Sequence, residues 1–323
     1  MIQTRFLSGQ GLGNQLWTYA AARGIAEHLG RPHVVTGRDV FKGAEFLDID
    51  FGEDPEPDAP VARFNEALFY DPELKYFSSG YDIRTEHLPP RVQLDGLFQS
   101  ERYFHGREME LKHWIRPKAE VLSAAERYRD VCVLNLRGGE YKRHKALILP
   151  RSYWDMAVDV LRREAGATEI LVVTDDPGYA RAFLPEFPVL EGGVAECYAA
   201  LMGAKALAVS NSSFSYFPIK TRSDRPFVVA PEHWARYGHP ARRWAMPANL
   251  YRDWHWLSPA GELRSYEACR DAAEADAAWY EAEYSVRIPP SMGIGLPRSR
   301  FIPAGLKRPI KRAAARLFPT RIG

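Results

Sequence analysis

The chain has 323 residues, 46% hydrophobic and 26% charged, with a formal net charge of +2. That is the balance of a globular protein too long for one ordinary core. No apolar run approaches the ~20 residues that cross a bilayer, and the start lacks the charged and apolar regions of a signal peptide, so a cytoplasmic location is expected. Nine of the 43 basic side chains and none of the 41 acidic ones lie from Arg287 onward; the remaining body is mildly acidic, which argues against nucleic acid as the main partner.

Residues 2–7 are an apolar run that predicts a strand, and residues 16–29 have helical spacing. Between them lies Gly9-Gln10-Gly11-Leu12-Gly13-Asn14-Gln15. Glycines there let the backbone turn tightly and approach a ligand closely, while Asn14 can cap a helix whose free N–H groups favour an anion. An ordinary strand-to-helix turn explains the same spacing. The dinucleotide fingerprint fits poorly, because the next glycine after Gly13 is Gly24.

Residues 33–36 predict a second strand. Residues 37–115 pattern less clearly, with a turn-rich acidic stretch at 48–60 and several aromatics; the alternation over 46–51 reads as a half-exposed strand carrying Asp48 and Asp50, not as a metal site. Pro117 marks a boundary. Beyond it, strands are expected at 131–136, 169–174, 206–210 and 227–230, and helices from Ser152, at 179–184, at 195–205 and from near Ser213. Strands alternating with helices mean a parallel sheet whose ligands sit at the carboxyl ends of its strands. Three polar loops lie there: 137–140, 174–177 and 210–215.

Arg137, followed by Gly138 and Gly139, suits bidentate binding of a phosphate or carboxylate, or a pairing with a surface acid. Glu140 can pair with it, serve as a general base, or be solvated. Asp175-Asp176-Pro177 reads as a turn and cap or as an acceptor for a ribose or purine edge. Asn211-Ser212-Ser213-Phe214-Ser215 precedes a helix start, which suits either capping or an anion. No metal is expected. Cys132, Cys197 and Cys269 lie far apart and are expected as reduced thiols.

Together these segments resemble the bacterial α-1,2-fucosyltransferase-like family (glycosyltransferase family 11), within the superfamily that uses GDP-fucose. Gly9 and Gly11 to Gln15 match its opening Gly-Gly-Leu-Gly-Asn-Gln; Asn135-Leu136-Arg137-Gly138-Gly139-Glu140 partly matches His-x-Arg-Arg-Gly-Asp. Leu149-Pro150-Arg151-Ser152-Tyr153-Trp154, Thr174-Asp175-Asp176 and Asn211-Ser212-Ser213-Phe214-Ser215-Tyr216-Phe217 follow in the family's order. Asn135 stands where the family has His, Gly138 where it has its second Arg, and Glu140 where it has Asp.

The resemblance implies an α/β, GT-B-like fold of two Rossmann-like domains facing across a cleft. An N-terminal acceptor-side domain (1–118), a nucleotide-sugar domain (119–260), a helix (261–286) and a basic tail (287–323) are expected. It also implies inverting, metal-independent transfer of fucose, or of another GDP-sugar's glycosyl group, to a glycan hydroxyl. The linkage implied is α-1,2, in surface-polysaccharide or glycolipid synthesis. Arg137 would neutralise the leaving diphosphate, helped by Ser213 and its neighbours; Asp175 or Asp176 would contact guanine or ribose; Glu140 is the candidate base. Gly11, Gly13, Asn14 and Gln15 would close on the donor from the other domain, with Asn14 counted as catalytic; Asn135, Asn211, Ser212 and Ser215 complete the expected donor site. No cofactor is implied. A catalytically inactive glycan- or nucleotide-binding module is the alternative. In the tail, residues 309–318 have the spacing of a basic amphipathic helix, so residues 305–323 suit an anionic membrane surface carrying a lipid-linked acceptor.

Overall fold

The computed structural model describes residues 1–54, 61–71, 76–239 and 250–284. The chain forms two compact units: residues 1–44 and 49–114 make the body of the first, and residues 45–48 and 115–277 make the second.

The sheet of the first unit has four parallel strands in the spatial order His33–Thr36, Ile2–Arg5, Val92–Asp95, Ala62–Asn65. Helix Leu12–His28 carries the chain from the second of these to the first, the kind of crossover that parallel pairing requires. Leu16, Trp17, Tyr19, Ala20 and Ile25 are all 1% exposed or less, so this helix is buried round most of its circumference. Trp17 stacks on Phe104 with ring centroids 5.5 Å apart. An antiparallel hairpin, Leu68–Asp71 with Tyr76–Ser79, lies in sequence between the sheet strands Ala62–Asn65 and Val92–Asp95.

The helix begins at Leu12, with Gly11 as an extended N-cap at φ −67° and ψ 152° and no side-chain cap. Asn14 therefore sits in the first turn, which corrects the expectation that it caps. Burial of Leu12 pulls the start of the helix three residues earlier, so packing rather than a polar cap sets it.

The second unit holds a six-stranded sheet in the order Ile170–Thr174, Cys132–Leu136, Ala206–Val209, Phe227–Pro231, His255–Leu257, Leu263–Arg264. The first five strands are parallel and the last is antiparallel. Every residue of Cys132–Leu136 is buried, as its unbroken apolar run requires of a central parallel strand. Helix Arg151–Ala165 follows, burying Tyr153, Trp154, Ala157, Val158 and Leu161 on one face and ending at Gly166 with φ +58°. Helices Pro177–Phe183 and Val194–Gly203 alternate with the next strands. Segment 45–48 joins this unit through the Lys118 amide, which donates to the Phe46 carbonyl at 3.0 Å.

Sheet order reverses at Cys132–Leu136: the chain first adds a strand on one side, then on the other. The crevice for a ligand in such a sheet lies outside the carboxyl ends of the two strands flanking the reversal, here Cys132–Leu136 and Ala206–Val209. The expected helix near Ser213 instead starts at Tyr216 and runs only to Lys220. A five-residue helix adds little dipole, so the serines before it act as turn residues first.

All three cysteines are free and buried, and burial raises each thiol above its ordinary range, Cys197 to about 11 and Cys269 to about 12. Among the described residues, no helix is long and apolar enough to cross a membrane. The basic tail, including the amphipathic stretch at 309–318, lies outside the described residues.

Candidate functional site

Specific bonds tie together the three polar loops at the carboxyl edge of the second unit. Arg137 leaves the end of Cys132–Leu136 and reaches sideways: Nη1 lies 2.8 Å from Asp175 Oδ2 and Nη2 lies 3.2 Å from Glu140 Oε1. Its guanidinium carbon stands over the Tyr141 ring, 5.4 Å from the centroid, within the range of a cation–π contact. The Gly138 amide donates to Asp175 Oδ1 at 2.9 Å, so one carboxylate holds both the arginine and the backbone beside it.

The two glycines are needed for this. A Cβ on Gly138 would meet Tyr179 Cδ1 at 2.6 Å, and one on Gly139, at φ +22°, would meet Asp175 Oδ2 at 2.0 Å. Gly138 thus makes room for the Tyr179 ring and Gly139 for the Asp175 carboxylate.

Asp176 caps helix Pro177–Phe183 by accepting from the Tyr179 amide at 3.0 Å. Its carboxylate also takes Lys142 Nζ, and these two bonds, the lysine's foremost, hold it below the usual carboxylate range. Of the readings of the Asp-Asp-Pro turn, Asp176 fulfils the cap, while Asp175 accepts from Arg137 and the Gly138 amide.

At the reversal point three buried polar atoms have no hydrogen-bond partner among the described residues: Asn135 Oδ1, Ser210 Oγ and Asn211 Oδ1. Their residues are 5%, 4% and 2% exposed, so a ligand or water that satisfies them would relieve a cost of ~1–3 kcal/mol each. The other halves of the amides are engaged. Asn135 Nδ2 donates to the Val173 carbonyl at 3.3 Å, and Asn211 Nδ2 donates to the carbonyls of Leu147, at 3.0 Å, and Trp234. The Tyr141 hydroxyl donates to the Asn211 carbonyl at 2.9 Å, linking this loop to the arginine's.

Ser212 Oγ accepts from the Phe214 amide at 3.3 Å, and buried Ser215 Oγ donates to the Ser212 carbonyl at 3.1 Å. Ser213 is half-buried in the same turn. Beside this loop lies a small cavity of ≈ 20 Å³, room for about one water, whose wall includes Ser210, Asn211, Trp234, Tyr251, Trp254 and Trp256.

Gly11, Gly13, Asn14 and Gln15 belong to the first unit, at the carboxyl end of Ile2–Arg5. Asn14 Oδ1 accepts from Gln99 Nε2 at 2.8 Å. Gln15 is fully buried, its amide donating to the Val40 carbonyl at 2.8 Å and accepting from the Lys42 amide at 2.9 Å, so its side chain ties down segment 40–42. A Cβ on Gly11 would meet nothing within 4 Å, and its φ is ordinary; the fold itself does not demand glycine there.

Tyr141, Lys142 and Tyr179 join the site without having been singled out from sequence. Nothing in a loop sequence signals which ring will lie under a guanidinium in a neighbouring turn. Among the described residues, no group of three His, Cys, Asp or Glu is placed to hold a metal ion.

No protein-family model matches the sequence, and no curated protein matches it closely enough to count as a relative. Solved structures of similar shape include POFUT1 in complex with GDP, at 11% identity and TM-score 0.41 over 71% of this chain and 97% of that one. NodZ α-1,6-fucosyltransferase soaked with GDP-fucose is 12% identical, with TM-score 0.42 over 74% and 96%. A point mutant of Arabidopsis thaliana FUT1 in complex with GDP is 13% identical, with TM-score 0.44 over 72% and 71%. Likeness at this distance assigns no activity, and the reading that follows rests on the chain's own residues.

Proposed function

We propose that the chain is an inverting glycosyltransferase that takes a GDP-sugar, GDP-fucose first among them, and transfers the sugar to a glycan hydroxyl. The observation that carries this reading is Arg137: a guanidinium held by Asp175 and placed over the Tyr141 ring, beside the point where the sheet order reverses. Five motifs in the family's order, three of them at this one sheet edge, support the fucosyl donor.

In the reaction, the acceptor oxygen forms a bond to the anomeric carbon as the bond from that carbon to the β-phosphate oxygen breaks. Negative charge grows on the departing diphosphate, and Arg137 supplies positive charge at that moment, which is where electrostatic stabilisation counts most. Asp175 fixes the direction of the fork. Asn135, Ser210 and Asn211 offer their unsatisfied atoms to the donor, with Ser212, Ser213 and Ser215 shaping the loop. Glu140 is the base: its side chain is 62% exposed, and diphosphate on Arg137 frees it from its ion pair to take the acceptor's proton. No metal is assigned to any step. The linkage proposed is α-1,2, and the acceptor a surface glycan or a lipid-linked one reached through residues 305–323. Gly11, Gly13 and Asn14 of the first unit take part in transfer.

Gly138 in place of the family's second arginine, with Arg137 already paired to two carboxylates, favours a second reading: a binding module without turnover. Incubation with a panel of GDP-sugars separates the two. GDP release from GDP-fucose supports the proposal; release from GDP-mannose alone would eliminate the fucosyl assignment, and GDP binding with no release from any donor would establish the binding module.

A further inference from the structure

Glu66 is an acid with no exposed surface, placed one residue beyond strand Ala62–Asn65. Its amide continues the parallel ladder by donating to the Asp95 carbonyl at 2.9 Å. Carboxylates are almost never fully buried without a partner, and among the described residues this one has no cation against it; it has hydrogen bonds instead. Oε2 accepts from the Leu97 and Phe98 amides at 2.7 and 2.8 Å. Oε1 is bonded to the Tyr103 hydroxyl at 2.8 Å and to Ser79 Oγ, and Ser79 Oγ accepts from the Gln99 amide at 2.8 Å. Two consecutive amides, 97 and 98, thus close on the carboxyl itself and the third, 99, on the Ser79 hydroxyl bonded to it. Phe98 adopts φ +50°, a left-handed conformation that a bulky residue keeps only when its surroundings hold it. The next residue, Gln99, donates Nε2 to Asn14 Oδ1 at 2.8 Å.

We infer that Glu66 is the positioning residue of the glycine loop: its buried carboxyl holds the 97–99 turn, and the Gln99 side chain passes that setting to Asn14. The chain of contacts also has two proton arrangements. Ser79 Oγ and the Tyr103 hydroxyl each have a second acceptor in the Gly80 carbonyl, at 3.2 and 2.9 Å. With Glu66 ionised both hydroxyls donate to Oε1; with a proton on Oε1, one bond reverses and that hydroxyl turns to Gly80. Ser79 is shared with the Gln99 amide, so the proton on Glu66 is felt at Gln99 and hence at Asn14.

Burial pushes Glu66 up to about 7, against the pull of its four hydrogen bonds. Its neighbours Tyr103, Tyr81, Asp82 and His105 are all shifted away from that pH. Burial takes the Tyr103 hydroxyl well above its ordinary value, and takes Tyr81, bonded to Glu86 and covered by Arg102, to about 12. Burial opposes the charge on Asp82, but Arg84 at 2.9 Å and the Ala67 amide hold its carboxylate below the usual range. Burial and His28 lower His105 to about 4, leaving it neutral, and Asp95 at the adjoining strand end is paired with Arg63 at 2.8 Å.

The test follows backbone amide resonances of the full chain from pH 5 to 9. Leu97, Phe98, Gln99 and Asn14 are expected to titrate together with a midpoint near 7, and to stop titrating in Glu66→Gln. Ser79→Ala, which cuts the link to Gln99 and leaves the carboxyl in place, should keep the response at Leu97 and abolish it at Asn14. Titration at Leu97 without any at Asn14 in the unmodified chain, or an Asn14 response that survives Ser79→Ala, would overturn the inference. The accompanying effect on turnover rests on the transferase reading: the pH profile of kcat should carry a limb near 7 that Glu66→Gln removes while KM for the donor stays within twofold. If resonances titrate as expected and no donor is turned over, the transferase reading fails and the positioning role stands. A kcat limb unchanged in Glu66→Gln would instead overturn the role of Glu66 in setting the loop.

Discussion

Replacing Glu66 by Gln should make the protein's stability far less dependent on pH, by an amount the structure fixes. Gln keeps the shape and the neutrality of the protonated acid: its oxygen accepts from the Leu97 and Phe98 amides, and its NH₂, with two hydrogens where the acid has one, donates to both Ser79 and Tyr103, whose hydroxyls then turn to Gly80. The ordinary value of 4.5 is raised to about 7 in the fold, chiefly by burial. A raised acid binds its proton more tightly when folded, so its contribution is fully present below about 4.5 and is lost as pH rises through about 7. That interval corresponds to roughly 3 kcal/mol at ~1.4 kcal/mol per pH unit. Urea unfolding at pH 4.5, 6, 7 and 8.5, followed through the transition of the first unit, should therefore show the variant gaining about 3 kcal/mol on the unmodified protein across the series. A stability difference that stays flat over that range would refute the assignment of a protonated, buried Glu66.

Other outcomes follow from the same contacts. Asn14→Ala should lower transfer by roughly tenfold or more while GDP affinity, measured by calorimetry, changes little; equal losses in both, or none in either, would reduce the glycine loop to a turn. Gly139→Ala should cost ~1–2 kcal/mol in a thermal or urea melt, since its Cβ at positive φ would strike Asp175, and should weaken GDP binding by loosening Arg137; a variant that melts lower yet binds GDP unchanged would separate Asp175 from the site. Deleting residues 305–323 should abolish sedimentation with anionic vesicles, at ~1 kcal/mol for each basic side chain near the surface, and leave GDP binding intact. Vesicle binding that survives the deletion would dismiss the tail as an anchor.

The second unit was largely legible because its central strands are unbroken apolar runs. Cys132–Leu136 and Ala206–Val209 are buried at every position, and nothing else in the chain alternates so plainly with helices. The first unit was harder. Ala62–Asn65 is a short strand with three of its four residues exposed, and Val92–Asp95 alternates over only four residues, so neither builds a periodic signal. The site divides in the same way. Arg137 and Asp175 could be placed because each follows a readable strand, but the Tyr141 ring beneath the guanidinium and the Tyr179 ring against Gly138 come from packing between loops. Asn14 has the chemistry of a cap, but burial of Leu12 starts the helix earlier and leaves Asn14 to Gln99. Glu66 carried no signal at all: a lone acid after a short strand looks solvated, and the amides that surround it lie about thirty residues further along.

The central claim is that Arg137 stabilises a departing diphosphate, and Arg137→Ala tests it most directly. Turnover of the accepted GDP-sugar should fall by on the order of 10²-fold or more, the scale of losing one transition-state partner, with a much smaller loss of GDP affinity. A rate equal to that of the unmodified protein would contradict the account.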